Sequence, residues 1–511
     1  MATNWQTFPI EFRGGLISNL SPLQQGINAV GSATILQNFE PAKEGGYRKI
    51  LGYSKYDETE VPGVGNVLGV KVVNPGEVLA VRSNGTVSQV YLSSGAGWTS
   101  LASGSFLGDK CRFADFNFSG THKIVMVDGV NPPAVFNDST NTMTFMTPPA
   151  DVVGAEFVAV FKGTVFYAKG NNLIFTAPFN ESDFSAANGA GTISVSHAIT
   201  GLAVFRDQLI IFSRNKVQRL NGNTVADFQL SPITDTLGCI NSDTIQEVGG
   251  DIMYLAPDGI RLLSATDRIG DFGLEIASDP IAADAKSFSD SATSFSSIVL
   301  REKAQYRIFG YVQSEQKVVS RGLIATKFSA QGASSIAWAT TKGIKAYVAD
   351  SRYTEDNETV LFANEDGYVY ELESSSSFDG SIIEAIFESP YMAVTDPRTR
   401  KTFYKLTTYL ELNGPVDLTL NVKYDFGRTG GYDVLQPSAE SIASTGTSVF
   451  TYGSGAAVFG VATYGGELDK VYENPLIGSG KTIALRIEDS TTNPSFSLDT
   501  AILEFAQNDR Q

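Results

Sequence analysis

Between about residues 65 and 380, short apolar runs at a two-residue period are separated by turns rich in Gly, Asp and Asn. EVLAVRSNGTVSQVYL from Glu77, KIVMVDGVNPPAVF from Lys123 and TVFYAKGNNLIFTA from Thr164 open the series. QLIIFSRNKVQRLNG from Gln208, DIMYLAPDGIRLLS from Asp251, YRIFGYVQSEQKVVS from Tyr306 and TVLFANEDGYVYELE from Thr359 continue it. Their first apolar strand positions, Val78, Ile124, Val165, Leu209, Ile252, Tyr306 and Val360, recur about every 41 to 54 residues. Propeller blades repeat at roughly 40–50 residues, whereas helical repeats would carry a 3.6-residue period. Asp-Gly between β-rich runs, as in LAPDGIRLL, marks hairpins, because glycine takes positive φ without strain. One hairpin cannot bury both faces, but blades packed radially can. The pattern predicts an all-β fold with a β-propeller of about seven blades over 61–380.

After Gly380 the period changes. In VDLTLNVKY, Val416, Leu418, Leu420, Val422 and Tyr424 share one face, and TIALRIE from Thr482 alternates likewise. Strands with one buried and one wet face predict an antiparallel, sandwich-like platform domain over 381–511. Residues 438–466, rich in Gly, Ser, Ala and Thr, read as a long excursion or as edge strands for a neighbouring chain. Residues 1–60 precede any regular pattern and read as an arm or anchor that packs on the C-terminal domain.

Composition narrows the function. Hydrophobic residues make up 42% of the 511, enough for packed cores. The 49 glycines and an 18% charged share suit strands and tight turns rather than long solvated helices. A net charge of −17 argues against a protein that grips nucleic acid by its overall field. Cys111 and Cys239 are too few for a disulfide framework or a four-cysteine zinc site, and read as buried thiols. MATNWQTFPIEFRGGL lacks a basic region followed by an apolar run, and no apolar window reaches the ~20 residues of a membrane helix. The expectation is a soluble protein made without export.

Catalytic patterns are sparse. GSGKT at 478–482 has Pro475 where a phosphate-binding loop needs glycine, and a strand pattern follows it, so it reads as a turn. Any Ser-His-Asp device must use His122 or His197, and neither neighbourhood supplies a nucleophile elbow. HExxH is absent. Sugar cleavage would need two carboxyls at a set separation. Asp128, Asp258 and Asp366 are the candidates, yet each lies in a hairpin turn that favours Asp for geometry. The acidic turn TEDNE at 354–358 lacks an EF-hand ligand spacing. The expectation is no catalytic residue, no metal and no cofactor. DPRTRK at 396–401 is a basic cluster suited to an acidic neighbouring subunit.

The two ends carry a resemblance. FRGGL from Phe12 and LQNFEPAKEGGYRKILGY from Leu36 hold Gly14-Gly15, Asn38, Gly45-Gly46, Arg48-Lys49 and Gly52. FESPYMAVTDPRTRKTFYKLTTYLEL from Phe387 and SGKTIALRIEDSTTNPSFSLDTAILEFAQNDR from Ser479 lie towards the other end. Together these segments resemble tail nozzle and tail-hub (head-completion, DNA-stabilisation) proteins of tailed bacteriophages. The chain departs from that pattern in ending Arg510-Gln511 rather than in an arginine pair.

The resemblance implies a structural virion protein of the tail, made in the bacterial cytoplasm, in a homo-oligomeric ring of six subunits. Its implied partners are portal-proximal adaptor proteins and tail fibres or spikes, with genomic DNA passing through the ring without specific binding. It also makes residues 39–53 an anchor, and Arg13, Arg48, Lys49, Arg398, Arg400 and Lys401 candidate subunit-interface residues. An acidic lining would let DNA slide. The alternative is a carbohydrate-active or carbohydrate-binding propeller, such as a tail depolymerase or adhesin. Trp5, Trp98 and Trp338 are few for a sugar-stacking platform.

Overall fold

The computed structural model describes residues 5–101, 110–264, 276–313, 318–330, 333–354, 357–427, 434–444 and 469–508. The fold is all-β in a β-propeller arrangement, with only two short α-helices, Pro22–Asn28 and Ala282–Ser291, among the described residues. Antiparallel sheets of three or four strands form at 64–100, 112–145, 157–194, 199–234, 246–262 and 348–375, the last completed by Gly52–Lys55. These are six free-standing blades. A further four-stranded meander, 294–342, lies between the fifth and last of them and is continuous with a nine-stranded sheet.

All seven repeat positions read from the sequence fall on the second strand of a meander, for example Val165 on Thr164–Lys169 and Ile252 on Asp251–Ala256. The reason is burial. A second strand has a strand on either side and a blade on either face, so Asp251–Ala256 is buried at every position. Successive blades share apolar clusters: Val81, Ile124 and Phe136 join the first two, and Phe166, Leu173 and Leu209 the third and fourth.

The chain ends build two further layers. One is a seven-stranded sheet of Gln6–Glu11, Phe39–Pro41, Tyr47–Lys49, Lys401–Leu412, Asp469–Pro475, Ser479–Gly480 and Phe496–Gln507. The other is the far half of the nine-stranded sheet: Ile35–Gln37, Ile383–Glu388, Ile483–Thr491, Val416–Tyr424 and Glu440–Ser444. All five alternating residues of Val416–Tyr424 are buried, and with Phe387, Leu406, Ile487, Leu503 and Phe505 they pack into one core. Ile35–Gln37 is the seam. It pairs antiparallel with Ile383–Glu388 and, through Gln37 and Thr340, parallel with the outer strand of the 294–342 meander. Most of the Gly/Ser-rich stretch at 438–466 lies outside the described residues.

Candidate functional site

The first place to look for chemistry is the propeller axis. Residues from around the ring, including Lys71, Arg112, Phe157, Leu202, Asp243, Ser297 and Asp350, line a cavity of about 220 Å³. That is below the roughly 300–1,000 Å³ of ligand clefts. Its charges neutralise one another. Lys71 lies 3.1 Å from Asp115 and 3.4 Å from Asp350, and Arg352 lies 3.1 Å from Asp115. Asp243 is gripped by Lys110 at 2.9 Å and by two nitrogens of Arg112 at 2.9 and 3.2 Å. Burial alone would raise the Asp243 carboxyl, but Lys110 and Arg112 outweigh it and hold the group down at about 2. Asp115 is likewise lowered against its burial, by Lys71 and Arg352. A general acid at a glycosidic oxygen needs a raised pKa, so neither carboxyl suits that role. Burial shifts the Glu371 carboxyl upward, but it lies on the third strand of its blade rather than on the axis.

The three hairpin carboxylates named above all serve their own turns. Asp128 accepts from the backbone N–H groups of Val130 and Asn131 at 3.0 and 2.8 Å. Asp258 pairs with Arg261 at 2.5 Å, and Asp366 accepts from Tyr368 N–H at 3.0 Å and the Tyr370 hydroxyl at 2.8 Å. His122 bridges Asp115 and Asp138 at 3.1 and 3.2 Å, with no serine in that set. Among the described residues His197 hydrogen-bonds only with the neighbouring Ser196 hydroxyl, at 2.9 Å. In the GSGKT stretch, Ser479–Gly480 pairs with Lys401 and Thr402, and the strand Ile483–Thr491 follows. Both cysteines are buried and unbridged, and burial pushes the Cys239 thiol up to about 12. In the TEDNE turn, residues 355–356 lie outside the described residues, while Glu358 holds Arg301 at 3.0 Å. No described cluster of His, Cys, Asp or Glu has the makings of a metal site.

The second place is residues 39–53, whose role the structure defines locally. Phe39 and Tyr47 are fully buried, and Phe39 meets Phe496 edge-on at 5.8 Å. Gly45 and Gly46 turn the chain between the two short strands at φ +106° and +79°, and a Cβ on Gly46 would lie 2.8 Å from Leu498 O. Gly52–Lys55 then closes the last blade, so the arm supplies a blade strand as well as platform strands. Two buried ion clusters fasten this strap. Glu40 lies 2.7 Å from both Lys303 and Arg307, beside Glu373, whose carboxylate is 2.8 Å from Arg307 but not aligned for a hydrogen bond. Burial alone would raise the Glu40 carboxyl, yet Lys303 and Arg307 leave it lowered. Sequence reading missed this cluster, although an arginine among the apolar residues of YRIFGYV was a usable sign.

The candidate interface cations divide. Lys49 and Lys401 are corrected: both point inward, 1% and 0% exposed, out of reach of a neighbouring subunit. Lys49 pairs with the fully buried Asp489 at 2.8 Å and donates to Thr491 O and Asn493 O. Lys401 donates to the carbonyls of Ala393, Asp396 and Lys481, and burial lowers its pKa against the pull of Asp396 and Asp425. Arg48 is half-buried between Glu44 and Ser497, and Arg13 is exposed beside Glu11. Arg398 is exposed and holds its own Asp396 at 3.0 Å, and Arg400 is exposed. A basic doublet in a strand must send one residue to each face, so only one of each pair can meet solvent. Arg510 lies outside the described residues.

No family model matches the chain, and no curated protein matches it. Among solved structures it is similar to two crystal structures of one extracellular domain from B. thetaiotaomicron, described as part of a one component system and of a hybrid two component system. The first is 8% identical with a TM-score of 0.34, covering 77% of this chain and 43% of the other. The second is 8% identical with a TM-score of 0.32, covering 76% and 43%. The chain thus spans less than half the length of those structures. No described helix is long and apolar enough to cross a membrane.

Proposed function

We propose that this chain is a structural subunit of the distal tail of a tailed bacteriophage, a nozzle or hub ring below the portal and adaptor. In this reading the 294–342 meander counts as a seventh blade of the propeller, and 381–511 with the N-terminal arm forms the platform. The observation that carries it is the joining of both chain ends into one sandwich that runs by backbone hydrogen bonds into the propeller. The segments that resemble the tail proteins contribute to this junction through Leu36, Gln37, Phe387, Glu388 and the strand Phe496–Gln507. A propeller with an ion-paired axis is a rigid block, not a pore, so DNA would pass between subunits. The net charge of −17 would keep it from adhering there.

Immunogold electron microscopy of phage particles, with antibody against this chain, tests the proposal. Gold at the distal tail axis is the expected result, and gold on peripheral fibres, or none on particles, overturns it. A carbohydrate-binding propeller is the second reading, favoured by one feature: Phe179 is 69% exposed at φ +58° and packs edge-on to Phe118. Glycan binding lost in Phe179→Ala would support that reading.

A further inference from the structure

The outer face of the seven-stranded sheet carries, at one end, a feature not used above. Trp5 is 56% exposed and stacks on Tyr404, ring centroids 4.7 Å apart and 16° from parallel. Tyr404 is the extra residue of a bulge, since Phe403 pairs with Phe505 and Lys405 with Glu504. A bulge re-aims a side chain, and here it turns Tyr404 outward to support the indole.

Beside this stack lies positive charge. Lys401 pairs with Gly480 and Thr402 with Ser479, so the register puts Arg400 opposite Lys481. The Arg400 carbonyl also accepts from Asn508 N–H at 2.9 Å, which holds it at the sheet end. Both Arg400 and Lys481 are exposed, and within the described residues neither side chain is ion-paired. Arg398 adds a guanidinium 87% exposed, with Asp396 as its partner. The Asp425 carboxylate accepts from the backbone N–H groups of Lys481 and Thr482 rather than from a cation, and Glu473 and Glu504 share Lys405. The result is an exposed aromatic stack flanked by two cations that no described carboxylate pairs directly.

We infer that the Trp5–Tyr404 stack with Arg400 and Lys481 is a docking surface for an acidic face of a second copy of this chain. Charge decides the occupant: 55 acidic against 38 basic residues leave the rest of the molecule strongly negative, so another copy offers the complementary field. The patch differs from the acidic surface it meets, so the contact is head-to-tail, the kind that closes rings. Trp, Tyr and Arg are the residue types that dominate interface energetics. The inference rests on the ring reading above.

Sedimentation of the full chain over a range of concentration and salt tests it. Wild type is expected to self-associate, more weakly as salt screens the contact. Arg400→Glu/Lys481→Glu and, separately, Trp5→Ala are expected to weaken association at least tenfold with unchanged melting. Lys286→Glu, on the exposed helix of the propeller, is expected to leave it unaltered. A chain that stays monomeric at every salt concentration, or charge-reversed variants that associate like wild type, overturns the inference. So does duplex DNA retained by wild type and released by Arg400→Glu/Lys481→Glu, which would make the patch a nucleic-acid surface. Unaffected variants with gold still at the tail axis would sink the patch alone. Gold off the axis would sink the tail reading whatever the variants do.

Discussion

Replacing Lys49 by methionine removes the cation that faces Asp489 and leaves that carboxylate in a site with no solvent exposure. The Thr491 hydroxyl, at 2.7 Å, then becomes its remaining side-chain donor, and the carbonyls of Thr491 and Asn493 lose the ammonium they shared. Breaking one side of a buried pair costs about 3–5 kcal/mol. For a chain this long the unfolding entropy corresponds to about 1 kcal/mol per degree, so Tm should fall by about 3–5 °C if unfolding is a single transition. Methionine has nearly the reach of lysine, which limits any cavity contribution. The loss should appear first as faster hydrogen exchange in Ile483–Thr491, the strand that carries Asp489. Adding Asp489→Leu should return most of the loss, since an apolar pair of similar volume often matches a buried ion pair. Calorimetry with exchange mass spectrometry measures both. Lys49→Met melting within a degree of wild type, or a double variant worse than either single, would refute the argument that this pair fastens the strap.

Three other expectations follow from the same geometry. Because Lys303 and Arg307 lower the Glu40 carboxyl in the fold, its stabilisation is present above the ordinary value of 4.5 and lost as pH falls through the folded value. Glu40→Gln should therefore cost about 3 kcal/mol at neutral pH and flatten the acid limb of a stability–pH curve. A Cβ at Gly52 would lie 1.9 Å from Ser377 O, so Gly52→Ala should displace the strand that closes the last blade, at a cost of about 1–3 kcal/mol, read as a lowered Tm. The Cys239 thiol, raised to about 12 and buried, should resist thiol reagents at pH 8 until the protein unfolds; rapid labelling of native protein would contradict its placement.

How far the sequence reaches depends on which strand is considered. Second strands such as Asp251–Ala256 are apolar throughout and are found readily, because both faces of a central strand are buried. Outer strands such as Trp98–Ser100 have weak patterns, and one of them, Gly52–Lys55, comes from the far end of the chain. No local period announces such a closure. The interface cations show the opposite case. Read as clusters, Arg48-Lys49 and Arg400-Lys401 look like surface, yet the strand period sends Lys49 and Lys401 inward, and applying it would have removed both. The Trp5–Tyr404 stack was beyond reach, since it depends on a bulge and a pairing nearly four hundred residues apart in sequence.

The most direct test of the account is a cryo-electron microscopy reconstruction of phage tails at a resolution that traces this chain. The account predicts a closed ring of copies around the tail axis, with DNA density running between subunits and none through a propeller axis. Chain density confined to fibres, or DNA threading a propeller, would contradict it.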